Sequence, residues 1–168
     1  MIEMKVVGIA IDAGSRNPIV LLRDTADRRN LPIWIGEVEA HAIIRALDPK
    51  PTPRPMTHDL LLNMLDACGV TVDKVVIHSL KNGTFYSVIL LQDGETKREI
   101  DARPSDAIAL ALRARCPIWV MEEVVLEASI PVDREADEAE RRAFREFLAD
   151  ITPDDLVRGR IGGGDLNS

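Results

Sequence analysis

The sequence predicts an α+β fold: a single domain with two related strand–strand–strand–helix halves, mixed or antiparallel sheets, and a C-terminal amphipathic helix. Three observations carry this. Short aliphatic runs bounded by Asn-Gly, Asp-Gly and proline-rich turns alternate with segments of helical periodicity. Residues 18–24 (Pro-Ile-Val-Leu-Leu-Arg-Asp) match residues 87–93 (Ser-Val-Ile-Leu-Leu-Gln-Asp) at an offset of 69, and residues 39–43 match 106–110 at an offset of 67. Two copies are too few for a solenoid. Composition shifts after Pro131, which divides the chain into a domain over 1–130, an acidic helical extension over 131–157 and a disordered tail over 158–168.

Residues 4–11 read as a strand, and the cluster Asp12-Ala-Gly-Ser-Arg-Asn-Pro18 as a turn leading to a second strand over 19–22. A third strand covers 31–35, where Pro32 indicates an edge or a strand beginning. Gly36 breaks the pattern. Helical spacing then places Ala40, Ile43, Ile44 and Leu47 on one face, with Glu37 and Glu39 suiting the positive end of the helix dipole. The segment Asp48 to Pro55 holds four prolines in eight residues and must be an extended loop. Thr57 is the expected N-cap and Gly69 the C′ residue of a helix whose buried stripe is Leu60, Leu61, Met64, Leu65 and Cys68.

A second three-strand run covers 71–80, 84–91 and 96–101, with hairpin turns at Asn82-Gly83 and Asp93-Gly94. Pro104 opens a helix to about Ala114 that is apolar all round and therefore expected at the centre. Residues 117–121 form a short strand, and 133–150 an amphipathic helix bearing Ala136, Ala139, Ala143, Phe147 and Leu148.

The 168 residues are 46% hydrophobic and 29% charged, which suits a globular core; with three Phe, two Trp and one Tyr, that core must be aliphatic. Of the net charge of −7, residues 133–168 hold −4, from ten acids and six bases. The remaining 18 acids and 15 bases leave the core near balance, so no basic patch advertises nucleic acid and none is excluded. Cys68 and Cys116, far apart, read as buried thiols in a reducing compartment. No apolar run spans a bilayer and no secretory leader pattern opens the chain, so a cytoplasmic protein without membrane association is expected.

No phosphate loop, dinucleotide fingerprint, serine-hydrolase elbow or His-Glu-x-x-His zinc motif occurs. Three clusters could carry chemistry. Glu37 and His41 share one side of a helix at metal-binding spacing, or form an exposed pair extended by Arg45. Arg54-Pro-Met-Thr-His-Asp59 puts a cation, a hydroxyl, an imidazole and a carboxylate at a helix start, where free amides bind phosphate and histidine exchanges protons near neutral pH. The same residues also fit a cap at Thr57 with His58 and Asp59 exposed. Asp101-Ala-Arg-Pro-Ser-Asp106 offers carboxylates for a divalent metal and Arg103 for a phosphate, or an Arg103–carboxylate pair that ties the junction. His78 reads as structural, and Trp34 and Trp119 as core or interface.

In this order, the segments Leu31-Pro-Ile-Trp-Ile-Gly-Glu-Val-Glu-Ala-His-Ala-Ile43, Arg54-Pro-Met-Thr-His-Asp-Leu60 and Asp101-Ala-Arg-Pro-Ser-Asp-Ala-Ile-Ala-Leu-Ala-Leu-Arg113 resemble the bifunctional nuclease family of bacteria and plants, over about residues 4–130. The resemblance implies a homo-oligomer that cleaves RNA and DNA with little sequence preference. A nuclease must activate water and stabilise the leaving oxygen, and carboxylate-held divalent metals commonly do both. On that view Glu39, His58, Asp59 and Asp106 are the expected catalytic residues. Glu39, Asp59 and Asp106 would hold Mg or Mn, and Arg54, Thr57 and Arg103 would receive the substrate, without an organic cofactor. The alternative is a non-catalytic oligomeric scaffold or regulator, in which the same polar groups pair and close.

Overall fold

The structure, a computed structural model, describes residues 1–132 except Pro49 and Pro51, together with Arg142, Ala143 and Glu146. The helix expected over 133–150 and the tail over 158–168 lie outside the described residues, save those last three, which are helical and exposed. The fold below is that of the unit Met1–Asp133.

Two meanders build one sheet. Strands β1 (Ile2–Ile11), β2 (Pro18–Asp24) and β3 (Arg29–Trp34) pair antiparallel and lead into helix α1 (Glu37–Leu47). After helix α2 (Thr57–Ala67), strands β4 (Val70–Lys81), β5 (Thr84–Asp93) and β6 (Thr96–Ala102) repeat the pattern and lead into helix α3 (Pro104–Ala114). Strand β7 (Ile118–Val120) joins the meanders, antiparallel to β1 and parallel to β4. Helix α4 (Glu122–Ala128) and strand β8 (Ile130–Pro131) complete the unit. The order β6-β5-β4-β7-β1-β2-β3-β8 gives a mixed, eight-stranded sheet, and the fold is α+β. The matched segments 18–24 and 87–93 are the central strands of the two meanders, and the matched helices are α1 and α3.

Local chemistry explains most boundaries. Asn82 and Gly83 both have positive φ (50° and 76°), as a two-residue hairpin between Lys81 and Thr84 requires. Gly69, at φ 74°, ends α2 where a side chain would be strained. Pro32 lies past Arg29 and Asn30, the residues of β3 that pair with β8, so its missing N–H falls where that edge is open. Asp24 closes the β2–β3 turn by accepting bonds from the Arg28 and Arg29 amides (2.7 and 2.9 Å). Burial pushes the Asp24 carboxyl up, but those amides and the Arg28 guanidinium outweigh it and hold it below the usual carboxylate range.

The core is aliphatic. Leu22, Leu31, Val75, Ile77 and Val120 from the sheet pack with Ile43 of α1, Ile108 and Leu110 of α3, and Val124 and Val125 of α4. Each fully buried side chain of this kind contributes about 1.5–3 kcal/mol. Helix α3 is central as expected, with Ala107 to Ala111 all buried.

Helix α2 departs from expectation. None of its residues is buried, and Leu60, Leu61, Met64 and Cys68 are exposed. Three consecutive leucines leave the helical phase ambiguous, and the contact falls to Leu62 and Leu65, which pack partly against the core. Thr57 is the first helical residue rather than the cap; the N-cap is Met56, whose amide donates to Asp59 Oδ2 (2.8 Å). Both cysteines are free thiols; Cys68 is exposed, while burial pushes Cys116 up to about 11. Trp34 is 55% exposed, and His78 is exposed beside a register shift in β4. Among the described residues no helix is long and apolar enough to cross a membrane.

Candidate functional site

The three expected carboxylates occupy the same structural position: Glu39, Asp59 and Asp106 are each the third residue of a helix, of α1, α2 and α3 respectively. An acid there faces unpaired amides and the positive end of the helix dipole. Helices α1 and α2 both pack on α3, which brings residues distant in sequence together.

Arg103 links two of these helix starts. It is the N-cap of α3, extended (φ −65°, ψ 142°) ahead of Pro104, whose fixed φ begins the helix. Its Nε donates to Asp106 Oδ2 and its Nη1 to Glu39 Oε1, both at 2.8 Å. These bonds to Asp106 and then Glu39 push the guanidinium further above its ordinary value. The Arg103 side chain is nevertheless 65% exposed, with donors to spare.

His58 extends the chain of contacts. Its Nε2 lies 3.1 Å from Asp106 Oδ1 and its side chain is only 15% exposed. A carboxylate beside Nε2 favours the tautomer protonated there, leaving Nδ1 as the acceptor. Glu39, Arg103, Asp106 and His58 thus form one connected polar row across three helices.

Gly36 makes room for it. A Cβ on Gly36 would collide with the Glu39 carboxylate, although the backbone there is ordinary (φ −78°). The glycine leaves space for the Glu39 carboxylate; its backbone conformation does not call for a glycine.

Asp59 belongs to a different set of bonds. Its Oδ1 accepts from Arg113 Nε, while Arg113 Nη1 donates to the carbonyls of Ala42 (3.0 Å) and Ala109 (2.8 Å). Burial raises the Asp59 carboxyl, but the Met56 amide and then Arg113 overcome this and hold it below the usual range. Arg113, almost fully buried in the last turn of α3, therefore ties α1, α2 and α3 together. Sequence reasoning gave it no role, although it closes the third segment of the family resemblance and is a basic residue at a helix end.

The remaining expected residues stand apart. Arg54 and Thr57 are exposed and make no side-chain bond among the described residues. Asp101 is exposed on β6, paired in register with Val88, and Arg45 pairs with Asp48 (3.7 Å) rather than with the first turn of α1.

The expected metal set does not assemble. Among the described residues no group of three His, Cys, Asp or Glu side chains closes on one point. Glu39 and Asp106 already share a cation in Arg103, and Asp59 faces Arg113. The donor set as arranged does not fit a divalent ion.

Comparison with known proteins gives the following. The family model described as bifunctional nuclease domain matches residues 20–133. An uncharacterized protein of Mycobacterium tuberculosis (strain H37Rv) is 39% identical over 162 residues, covering 92% of this chain and 97% of that protein. Bifunctional nuclease 1 of Oryza sativa subsp. indica is 27% identical over 124 residues, covering 72% of this chain and 38% of its own length. Bifunctional nuclease 2 of Arabidopsis thaliana is 28% identical over 105 residues, covering 61% and 32%.

Proposed function

Because the chain belongs to the bifunctional nuclease domain family, we propose that it hydrolyses phosphodiester bonds of RNA and DNA with little sequence preference, at the row Glu39–Arg103–Asp106–His58. The observation that carries this reading is the position of Arg103: an exposed guanidinium between two carboxylates, one shared with a histidine. Arg103 would receive phosphate oxygens through the N–H groups that Glu39 and Asp106 leave unused. Asp106 would hold His58 so that Nδ1 takes a proton from water as the water oxygen bonds to phosphorus; the bond from phosphorus to the leaving sugar oxygen breaks, that oxygen takes a proton from solvent, and Glu39 would fix Arg103 from the other side. With His58 neutral, as a proton acceptor must be, the row sums to one negative charge, and Arg103 is its one cation for a phosphate. The reading includes self-association, with the exposed apolar row Met56, Leu60, Leu61 and Met64 as the surface a second copy would cover.

The test is cleavage of labelled RNA and DNA by purified protein, with Arg103→Ala and with excess EDTA as separate arms. The expected result is cleavage of both substrates, a loss of about 100-fold or more in Arg103→Ala, and persistence in EDTA. Abolition by EDTA would return the carboxylates to the role of metal ligands and overturn the assignment to Arg103.

A second reading has its own support. Every charged group of the row is paired with a neighbour, as in a junction that only fastens helix ends. On that reading Arg103→Ala lowers the melting temperature and wild-type protein cleaves nothing.

A further inference from the structure

Asp106 holds a different group on each of its two oxygens. Oδ1 meets His58 Nε2 at 3.1 Å, and Oδ2 accepts from Arg103 Nε at 2.8 Å. One carboxylate therefore sets an imidazole and a guanidinium side by side, from the starts of two helices. His58 is mostly buried and so held in place, while Arg103 is exposed and can turn its unused N–H groups to a ligand. The amides that open α3 have no carbonyl partner within the helix and lie at the same end. Glu39 holds Arg103 Nη1 from the other side (2.8 Å), and Asp59 is bonded to Arg113. Among the described residues the row contains one base and one cation, and no further side chain that would hold a nucleophile.

A ribonucleotide brings its own nucleophile. Its 2′-hydroxyl and 3′-phosphate sit on adjacent carbons, so a base beside a guanidinium can engage both at once. Water must be captured and aimed at phosphorus. A hydroxyl tethered next to the phosphate is already aimed, and well-oriented reactions of this kind reach effective molarities of about 10⁵–10⁸ M. DNA lacks the hydroxyl and leaves the row only water.

We infer that RNA is the preferred substrate of this row and that its cleavage is a transesterification, in which the ribose 2′-hydroxyl takes the place of the attacking water. The inference rests on the hydrolytic reading for the site and for phosphodiesters as its substrate. His58 Nδ1 takes the proton of the 2′-hydroxyl as the 2′-oxygen bonds to phosphorus. The bond from phosphorus to the 5′-oxygen of the next nucleotide breaks, and that oxygen takes a proton from solvent. Asp106 stabilises the imidazolium until it returns its proton to solvent, so the balance closes without a co-reactant. Arg103 and the amides that open α3 hold the phosphate oxygens as charge builds on them. The products are a 2′,3′-cyclic phosphate and a free 5′-hydroxyl. Attack by water is the slower route, the one open to DNA.

The experiment offers full-length protein, in magnesium-containing buffer, DNA strands of one sequence that differ at a single position: uridine, 2′-O-methyluridine or deoxyuridine. Fragments are read by mass spectrometry at early times. Cleavage directly 3′ of the uridine is expected to be about 100-fold or more faster than at any deoxynucleotide. It should leave a cyclic phosphate, lighter than the linear one by a water, on one fragment and a 5′-hydroxyl on the other. The 2′-O-methyl group is expected to lower cleavage there to the deoxyuridine rate. His58→Gln, purified in the same way and shown to be folded by circular dichroism, is expected to lose about 100-fold or more at the uridine. A cyclic product undiminished in that variant overturns the inference. Cleavage that leaves linear phosphates, uniform along the strands or not, overturns the inference and leaves hydrolysis by water standing. Absence of cleavage in every strand overturns both.

Discussion

His58 Nε2 stands 3.1 Å from Asp106 Oδ1, and this contact fastens the first turn of α2 to the first turn of α3. With the Asp59–Arg113 bond one residue later, it holds a helix that buries none of its own residues. Helix α2 is attached by polar bonds at its start and by the partly buried Leu62 and Leu65.

The exposed side of α2 should therefore tolerate polar substitution. Leu60→Gln and Met64→Gln, measured by chemical denaturation at low protein concentration, are expected to change stability by no more than about 0.5 kcal/mol. A loss above about 2 kcal/mol would mean these side chains are core after all. Light scattering on the same variants reads self-association, which is expected to weaken.

Arg113 should matter far more. Replacing it with Met leaves Asp59 Oδ1 and the Ala42 carbonyl without the Arg113 donor, with only the Met56 amide still bonded to the carboxylate, and the expected cost is about 2–4 kcal/mol. Asp59→Asn on its own should cost less, about 1–3 kcal/mol. Because the two share one bond, the double variant is expected to lose clearly less than the sum. An additive result would place the effect of Arg113 elsewhere.

The Asp59 bond also has a sign in pH. Its carboxyl titrates below the ordinary value of 3.8, so the folded state favours the ionised form. That stability is fully present above the ordinary carboxylate value and is lost as pH falls through the folded one. The difference in stability between wild type and Asp59→Asn is expected to be constant from neutral pH to about pH 5 and to shrink below about pH 4. Asp24, depressed in the same way, contributes equally to both proteins and cancels. A difference that grows on acidification would contradict the assignment.

Gly36→Ala tests the close approach at the start of α1. Alanine suits the backbone there, so stability should shift by less than about 1 kcal/mol while the Glu39 carboxylate is displaced from Arg103. RNA cleavage is expected to fall, and the same substitution in a Glu39→Ala background to have no further effect. A full second loss in that background would show that Gly36 acts by another route.

Much of this was legible in the sequence. The Asn82-Gly83 turn, the proline at the start of α3 and the single apolar face of α1 are local signals, and each element formed as its residues predict. Ambiguity entered where a signal had two phases: Leu60-Leu61-Leu62 supports more than one buried face, and only packing against α3 chooses. Helix α4 follows β7 without glycine or proline and was not readable. The pairings of the site are long-range. Glu39 and Arg103 are separated by 64 residues, Asp59 and Arg113 by 54, and nothing local says which cation meets which acid. Hence the bond between Asp59 and Arg113 was not foreseen, and Arg113 was given no role of its own.

The most direct measurement compares His58→Ala with wild type for RNA and DNA cleavage, alongside thermal unfolding and circular dichroism to establish folding. A positioned histidine that transfers the proton in the reaction is worth about 100- to 10,000-fold, so a loss of that size on both substrates, in folded protein, is the predicted result. Cleavage at the wild-type rate by folded His58→Ala protein would contradict the account, because the row would then lack its proton carrier.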